Sequence, residues 1–181
     1  PNLRQKTMKV SLVGRALAIF QVGNVCIYND DDPHVRNQVA EAEMISTLLR
    51  YMETPQYLRK LLFTRRNELR YAGLQPPLRT PHHPLEDEKN KPGDYREAVV
   101  LKVDGRGSLL EIGLRERGFT KERLKAKERL TVKLGEHLDR DTIAIVRAAR
   151  ADVGEYWGYD VSRAKSLAEG LNRLKADHVI G

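Results

Sequence analysis

The sequence has few of the features that build a secreted or a membrane-embedded protein. It holds one cysteine in 181 residues, so no disulfide can form within the chain. No apolar run approaches the roughly 20 residues of a transmembrane helix, and the polar amino terminus lacks the pattern of a signal peptide. We therefore expect a cytoplasmic protein without a membrane segment. The cysteine, Cys26, lies in the apolar stretch VGNVCIY, which favours a small core residue over a nucleophile.

Aromatic residues are also scarce, at 6% of the chain, but the remaining composition is that of a folded protein. Hydrophobic residues make up 40%, which argues against disorder, and charged residues make up 31%, which predicts a strongly solvated surface. The length of 181 residues suits one ordinary domain or two small ones.

Positive charge is in excess, and two windows concentrate it. The net charge is +7. Residues 59–79 hold six lysines and arginines against one glutamate, and residues 115–133 hold eight against three acids. Such local excess favours a phosphate-rich partner, because each neutralised phosphate releases condensed counterions. The alternative is a solvated surface laced with ion pairs.

The first half of the chain predicts an α/β pattern. Apolar residues at helical spacing predict a helix over 4–20, the run VCIYN predicts a strand, and a second helix is expected over 34–53. A further helix should follow Thr54 and Pro55, with three arginines on its exposed face: Arg59, Arg66 and Arg70. The inward positions expected for the first helix are Val10, Val13, Leu17 and Phe20.

Three consecutive aspartates follow the first predicted strand. Asp30, Asp31 and Asp32 precede Pro33, which suits a helix start, with metal binding as the alternative.

The second half predicts a small β-domain inserted into the α/β domain. The segment DYREAVVLKV, the turn DGRG and SLLEIGL predict a hairpin in which Val99, Leu101 and Val103 alternate opposite Leu110 and Ile112. RLTVKL and TIAIVRAA predict two more strands, so a barrel of the oligonucleotide-binding type is expected, with a loose β-meander as the alternative.

An α/β pattern then returns. SRAKSLAEGLNRLK has apolar residues at helical spacing, and ADHVIG is a predicted buried strand. The predicted domains are 1–92, 93–153 and 154–181, with the first and last packed together.

Prolines and histidines mark the exit from the first domain. Four prolines stiffen YAGLQPPLRTPHHP. His82 and His83 should point to opposite sides of an extended chain, which disfavours one shared metal. Contact with RNA and a packed hinge both remain open for this pair.

The residues that carry a resemblance are VSLVGRALAIFQVGNVCIYND, LRKLLFTRRNELRYAGLQPPLRTPHHP and YWGYDV. Together they resemble the archaeal and eukaryotic branch of SPOUT RNA methyltransferases, which carries an inserted oligonucleotide-binding barrel. The resemblance spans nearly all of the chain. It implies a Rossmann-like SPOUT (α/β knot) half domain interrupted by the OB-like barrel.

The resemblance further implies S-adenosylmethionine as methyl donor, a homodimer, and ribosomal RNA as substrate with uridine N3 as target. The superfamily motif matches at Gly14, Arg15 and Ala16, with Phe20 after it, so Arg15 is the expected catalytic residue. Family members have a strand before this segment and continue past the DHVIG segment into the knot. The cofactor pocket is therefore expected beyond Gly181, and a non-catalytic RNA-binding or ribosome-assembly protein on the same scaffold is the alternative.

The expected RNA contacts are the cations of both basic windows and the histidine pair. They are Arg59, Arg65, Arg66, Arg70, Arg79, His82, His83, Lys121, Arg123, Lys125 and Lys127.

Overall fold

The computed structural model describes residues 2–84 and 90–174, and these form two compact units, each with its own core. Within the described residues, the α/β unit comprises 2–53, 65–78 and 158–174. The barrel unit comprises 54–64, 79–84 and 90–157. It takes in residues 54–64, which precede the boundary that the sequence predicts.

The described residues form four α-helices and seven strands. The helices are α1 (Leu3–Ile19), α2 (Gln38–Glu53), α3 (Gln56–Leu62) and α4 (Leu167–Leu174). The strands are β1 (Asn24–Tyr28), β2 (Tyr95–Asp104), β3 (Gly107–Glu111), β4 (Arg117–Thr120), β5 (Arg129–His137), β6 (Thr142–Ala148) and β7 (Asp160–Ala164).

Helix α1 buries Val10 as its spacing suggests, together with small residues, while two of the predicted large apolar residues are exposed. Asn2 caps the helix through a reciprocal capping box with Gln5. Thr7, Ser11 and Gly14 are buried, at positions i, i+4 and i+7. The prediction that Val13 and Phe20 face inward is wrong, since their exposed fractions are 51% and 79%. Helix α2 packs on the small-residue face instead.

The α/β unit contains a parallel strand pair that joins the two ends of the described chain. Strand β1 pairs with β7, with Asn24 opposite Asp160 and Tyr28 opposite Ala164. The predicted packing of the first and last segments is thereby confirmed. Ala164 ends a strand, so its assignment to a helix was wrong, and α4 begins only at Leu167. The predicted strand ADHVIG lies outside the described residues.

A core of apolar side chains from α1, α2 and β7 holds the α/β unit together. Tyr159, just before β7, is 2% exposed, and its hydroxyl donates to the carbonyl of Leu49 at 3.0 Å. The same hydroxyl would lie 3.3 Å from a Cβ at position 14, beside Met52 Sδ at 2.8 Å. Glycine at position 14 therefore permits the close approach of α1, α2 and Tyr159.

The second unit is a closed five-stranded barrel in the order β2-β3-β4-β6-β5, which confirms the barrel over the meander. Strands β4 and β6 are parallel, and the other neighbouring pairs are antiparallel. Inward side chains of β2, β3, β5 and β6, together with Ile112 and Leu124, form the core. The sequence analysis did not predict β4, whose four residues lie in the basic window.

The predicted hairpin is present, but its inward side chains differ from the expected ones. Ala98 and Val100 point into the core, and Leu101 is exposed. A register shift between Val100 and Lys102 then reverses the alternation, so that Val103 packs against the core again. A bulge of one residue is not visible in the apolar pattern, which explains the error.

A buried carboxylate links the segment before α3 and the end of the barrel unit to the strands. Glu97 Oε1 accepts from Thr131 Oγ1 at 2.6 Å and from Trp157 Nε1 at 2.8 Å. Its Oε2 accepts from Arg129 Nε at 2.6 Å, and Arg129 also donates to Thr54 Oγ1. We call Glu97, Arg129, Thr131 and Trp157 the Glu97 cluster. The donors of this cluster replace the hydrogen bonds to water that the carboxylate loses on burial.

Tyr57 of α3 completes this side of the barrel. Its hydroxyl donates to the backbone carbonyl of Glu97 at 2.8 Å, and Arg96 lies over its ring at 5.4 Å. Burial raises the pKa of the Tyr57 phenol far above its usual value. The phenol therefore remains a hydrogen-bond donor at neutral pH.

Candidate RNA interface

The loop between β4 and β5, residues 121–128, carries four of the predicted RNA contacts, and we call it the basic loop. Leu124 is buried in the barrel core. Ser108 Oγ accepts from the Leu124 backbone N–H at 2.9 Å and donates to the Glu122 carbonyl at 2.8 Å. The loop is therefore anchored, while four of its side chains are exposed: Lys121, Arg123, Lys125 and Lys127.

The acids near these four cations pair with another residue. The two acids of the basic loop, Glu122 and Glu128, pair with Arg147 of β6, at 3.8 Å and 3.0 Å. Within residues 2–84 and 90–174, no carboxylate pairs with the side chain of any of the four basic-loop cations. The loop therefore presents a net positive surface to a phosphate backbone.

The first basic window does not form one helical face. Helix α3 ends at Leu62, and Arg66 has the extended dihedrals φ −125° and ψ 148°. The prediction that Arg59, Arg66 and Arg70 share a helix face is therefore wrong. Two short 3₁₀ turns replace the expected helix. The apolar spacing did not indicate this break.

The arginines of this window differ in their contacts. Arg59, in the barrel unit, donates from Nε to the Thr54 carbonyl at 2.8 Å. Arg65, Arg66 and Arg70 are exposed in the α/β unit. Arg66 pairs with Glu43 at 3.5 Å, and Arg70 lies 5.7 Å from the ring of Tyr71. Arg79 is exposed in the barrel unit.

The two histidines lie against each other. His83 N donates to the Thr80 carbonyl at 2.8 Å, and this turn places the His82 and His83 ring centroids 4.4 Å apart, edge to face. The prediction that they point to opposite sides is therefore wrong, because it assumed an extended chain. His82 is 1% exposed and lies 5.9 Å from the Trp157 ring. This burial favours the packed-hinge alternative.

Arg15 lies on the exposed side of α1, next to the buried Gly14. Within the described part of the chain, its guanidinium has no ion pair and no hydrogen bond. Gly14 therefore accounts for the packing part of the motif, and Arg15 remains available to a ligand.

The edge where a Rossmann-like sheet binds ligands lies at the carboxyl ends of β1 and β7. After β1, Asp30 and Asp32 accept from nearby backbone N–H groups. After β7, Glu169 accepts from the Lys165 N–H, which lowers the pKa of its carboxyl together with Arg173. Each of these three carboxylates accepts a hydrogen bond from a backbone N–H close to it in sequence. Asp30, Asp32 and Glu169 are therefore not placed to hold S-adenosylmethionine.

The sequence analysis overlooked Arg117 and Phe119 of β4. Gly118 faces the core, where an added Cβ would lie 2.9 Å from Ile112 Cγ2, so its two neighbours face outward. Arg117 pairs with Glu111 at 2.6 Å. The alternation of cations and one aromatic residue over 117–125 is visible in the sequence. A count of net charge alone does not reveal this alternation.

Asp104 closes the turn between β2 and β3. It accepts from the Arg106 N–H at 2.9 Å, and this bond, with the Arg106 and Lys102 cations, lowers the pKa of its carboxyl. The turn therefore carries a charged carboxylate at neutral pH, and two exposed cations are already paired with it.

The described residues contain no group of three or more histidine, cysteine or acidic side chains placed to hold a metal ion. Among the same residues, no helix has the length and apolar character needed to cross a membrane.

The fold is thus a mixed α/β unit together with a closed barrel that exposes the cations of the basic loop. A sequence profile of the family described as "Putative RNA methyltransferase" matches residues 1–181. The chain belongs to this family, and the membership predicted from its motifs is confirmed.

Several curated proteins are similar to the chain. The human 28S rRNA (uridine-N(3))-methyltransferase is 30% identical over 93% of this chain and 48% of the relative. The mouse protein of the same name is 29% identical, covering 93% and 47%. The Drosophila melanogaster protein is 32% identical, covering 87% and 37%. The chain therefore spans about half the length, or less, of these relatives.

A solved structure of an uncharacterized protein from Methanocaldococcus jannaschii aligns with 35% of this chain and 99% of its own, at 15% identity. Its TM-score is 0.30, which carries no argument about the fold.

Proposed function

We propose that the protein transfers a methyl group from S-adenosylmethionine to uridine N3 of ribosomal RNA, with this chain supplying the RNA-binding surface. The family match over residues 1–181 carries the proposal. The names of the human, mouse and fly relatives support the base and the class of RNA. The unpaired cations of the basic loop support the role assigned to the barrel.

We propose Arg15 as the active-site residue of this reaction. Methylation at N3 requires loss of the N3 proton, which leaves negative charge shared with the flanking carbonyl oxygens of uracil. A guanidinium can donate two hydrogen bonds to such an oxygen or to a neighbouring phosphate. The exposure of Arg15 and the absence of a partner within the described residues support this role.

The proposed active form is a homodimer, as the resemblance implies, and the proposed compartment is the cytoplasm. Sedimentation velocity of the full-length protein at several concentrations tests the dimer, and a monomer at every concentration would contradict it.

The test of the reaction uses the full-length protein, unmethylated ribosomal RNA and S-adenosylmethionine with a labelled methyl group. Nucleoside mass spectrometry should detect labelled 3-methyluridine. Arg15→Ala should lower the rate by at least about 100-fold, as removal of one charge-stabilising donor does. Arg4→Ala is the matched control, because Arg4 is also exposed on α1.

Two results would contradict parts of the proposal. RNA binding without any methylated nucleoside would favour the non-catalytic alternative. An equal rate for Arg15→Ala and Arg4→Ala would remove Arg15 from the active site while leaving the reaction intact.

A further inference from the structure

We infer that Phe119 is a stacking platform for a base of single-stranded RNA, at the start of a row of cations that continues into the basic loop. The inference rests on the proposed RNA binding and deepens it, because it assigns one side chain and one form of RNA to the barrel surface.

The strand register places Phe119 on the outer surface of the barrel. Its neighbour Gly118 packs inward against Ile112 and Ile145. Phe119 lies opposite Leu109 of β3 and opposite Ala144 of β6. Because the Ala144 side chain is a single methyl group, it does not extend over the Phe119 ring. Phe119 is half-buried, so part of its ring is exposed to solvent.

The Phe119 ring has no aromatic or cationic partner among the described residues. The barrel unit's Tyr57 and Tyr95 differ, because Arg96 lies 5.4 Å from one ring and Lys133 lies 5.6 Å from the other. Phe119 therefore keeps a π-face for a ligand, where these two tyrosines already have cationic partners.

Charge on both sides of Phe119 matches a nucleic-acid backbone. Lys121 follows Phe119 by two residues and Arg117 precedes it by two, so each is about 7 Å away along an extended chain. Arg117 pairs with Glu111, so the charge available to a phosphate lies on the Lys121 side. Lys121 opens the run of four unpaired basic-loop cations. A single strand needs this combination of cations for its phosphates and an aromatic face for its bases. Strands at this position in barrels of the oligonucleotide-binding type commonly bind nucleic acid.

Single-stranded RNA is favoured over a duplex because only unstacked bases expose a π-face. A duplex would engage the cations but leave the ring without a partner.

The test measures binding of a 12-nucleotide uridine RNA and of an abasic strand with the same phosphates to the full chain. Phe119→Leu, which keeps an apolar side chain on the strand, should weaken uridine binding about 5- to 150-fold, the range found for loss of one stacked base. It should leave abasic binding and the salt dependence unchanged. Tyr95→Leu is the matched control, because that ring is covered by Lys133.

A second variant guards against a folding artefact. Phe119→Trp should retain affinity, and the added indole fluorescence should be quenched by uridine RNA and not by the abasic strand. Equal affinity of the wild-type chain for the two strands would overturn the stacking role and leave electrostatic binding intact. No binding to either strand at low salt would instead contradict the proposed RNA-binding function of the chain.

Discussion

Two glycines of the barrel unit have nearly the same φ but different surroundings. Gly113 has φ +73° and Gly154 has φ +74°. A Cβ on Gly113 would lie 2.6 Å from two ring atoms of Tyr57, whereas a Cβ on Gly154 meets nothing within 4 Å. The pair separates the cost of the left-handed backbone from the cost of the aromatic contact.

We expect Gly154→Ala to lower the free energy of unfolding by about 1–2 kcal/mol, the cost of a left-handed residue with a Cβ. Gly113→Ala carries the same cost plus an overlap of about 1–3 kcal/mol with the rigid ring. Urea denaturation of both variants measures the difference. Equal losses would mean that Tyr57 moves aside at no cost.

At the scale of elements, the Glu97 cluster connects β2 and β5 to the segments that enter and leave the barrel. Arg129, Thr131 and Trp157 all donate to the Glu97 carboxylate. A glutamine would place its NH₂ group against at least one of them. Glu97→Gln should therefore cost about 3–5 kcal/mol of stability, as removal of one partner from a buried ion pair does.

The matched control for Glu97 is Glu122, whose pair with Arg147 is exposed. Glu122→Gln should cost less than about 1 kcal/mol. Thermal and urea unfolding measure both variants, and similar losses would mean that water replaces the lost partner of Arg129 in the cluster.

Element type followed from local pattern more reliably than the identity of the buried face. Strands β1, β5 and β6 were predicted from short apolar runs. The buried side of α1 was predicted only in part: Val10 is buried, but the close helix contact also selects small residues such as Thr7 and Gly14. The bulge in β2 likewise changed which valines point inward.

At the scale of the whole molecule, the net charge of +7 predicts salt-dependent RNA binding. If the four basic-loop cations each neutralise one phosphate of a single strand, they contribute about −2.8 to the slope of log affinity against log salt concentration. Replacing all four by glutamine should therefore flatten the slope by about 3. Titrations at several salt concentrations measure it.

Arg106→Gln is the control for this salt series, because Arg106 is exposed but lies 3.8 Å from Asp104. An unchanged slope in the fourfold variant, or an equal change in the control, would place the RNA on another surface.

The sequence by itself determined the family, the two basic windows, the barrel and the return of the α/β unit after it. These follow from motifs, from charge counts and from apolar periodicity, all of which are local. The proposal of Arg15 as the active-site residue likewise rests on the residues around it.

Tertiary structure alone decided which cations of the described residues lack an acidic partner. Arg147 of β6, which is distant in sequence, pairs with both acids of the basic loop, so these acids do not pair with the loop's own cations. Tertiary structure also decided that His82 is buried and that Phe119 faces outward. Pairing and burial depend on strand register and on the folding of remote segments against each other, and no local pattern contains that information.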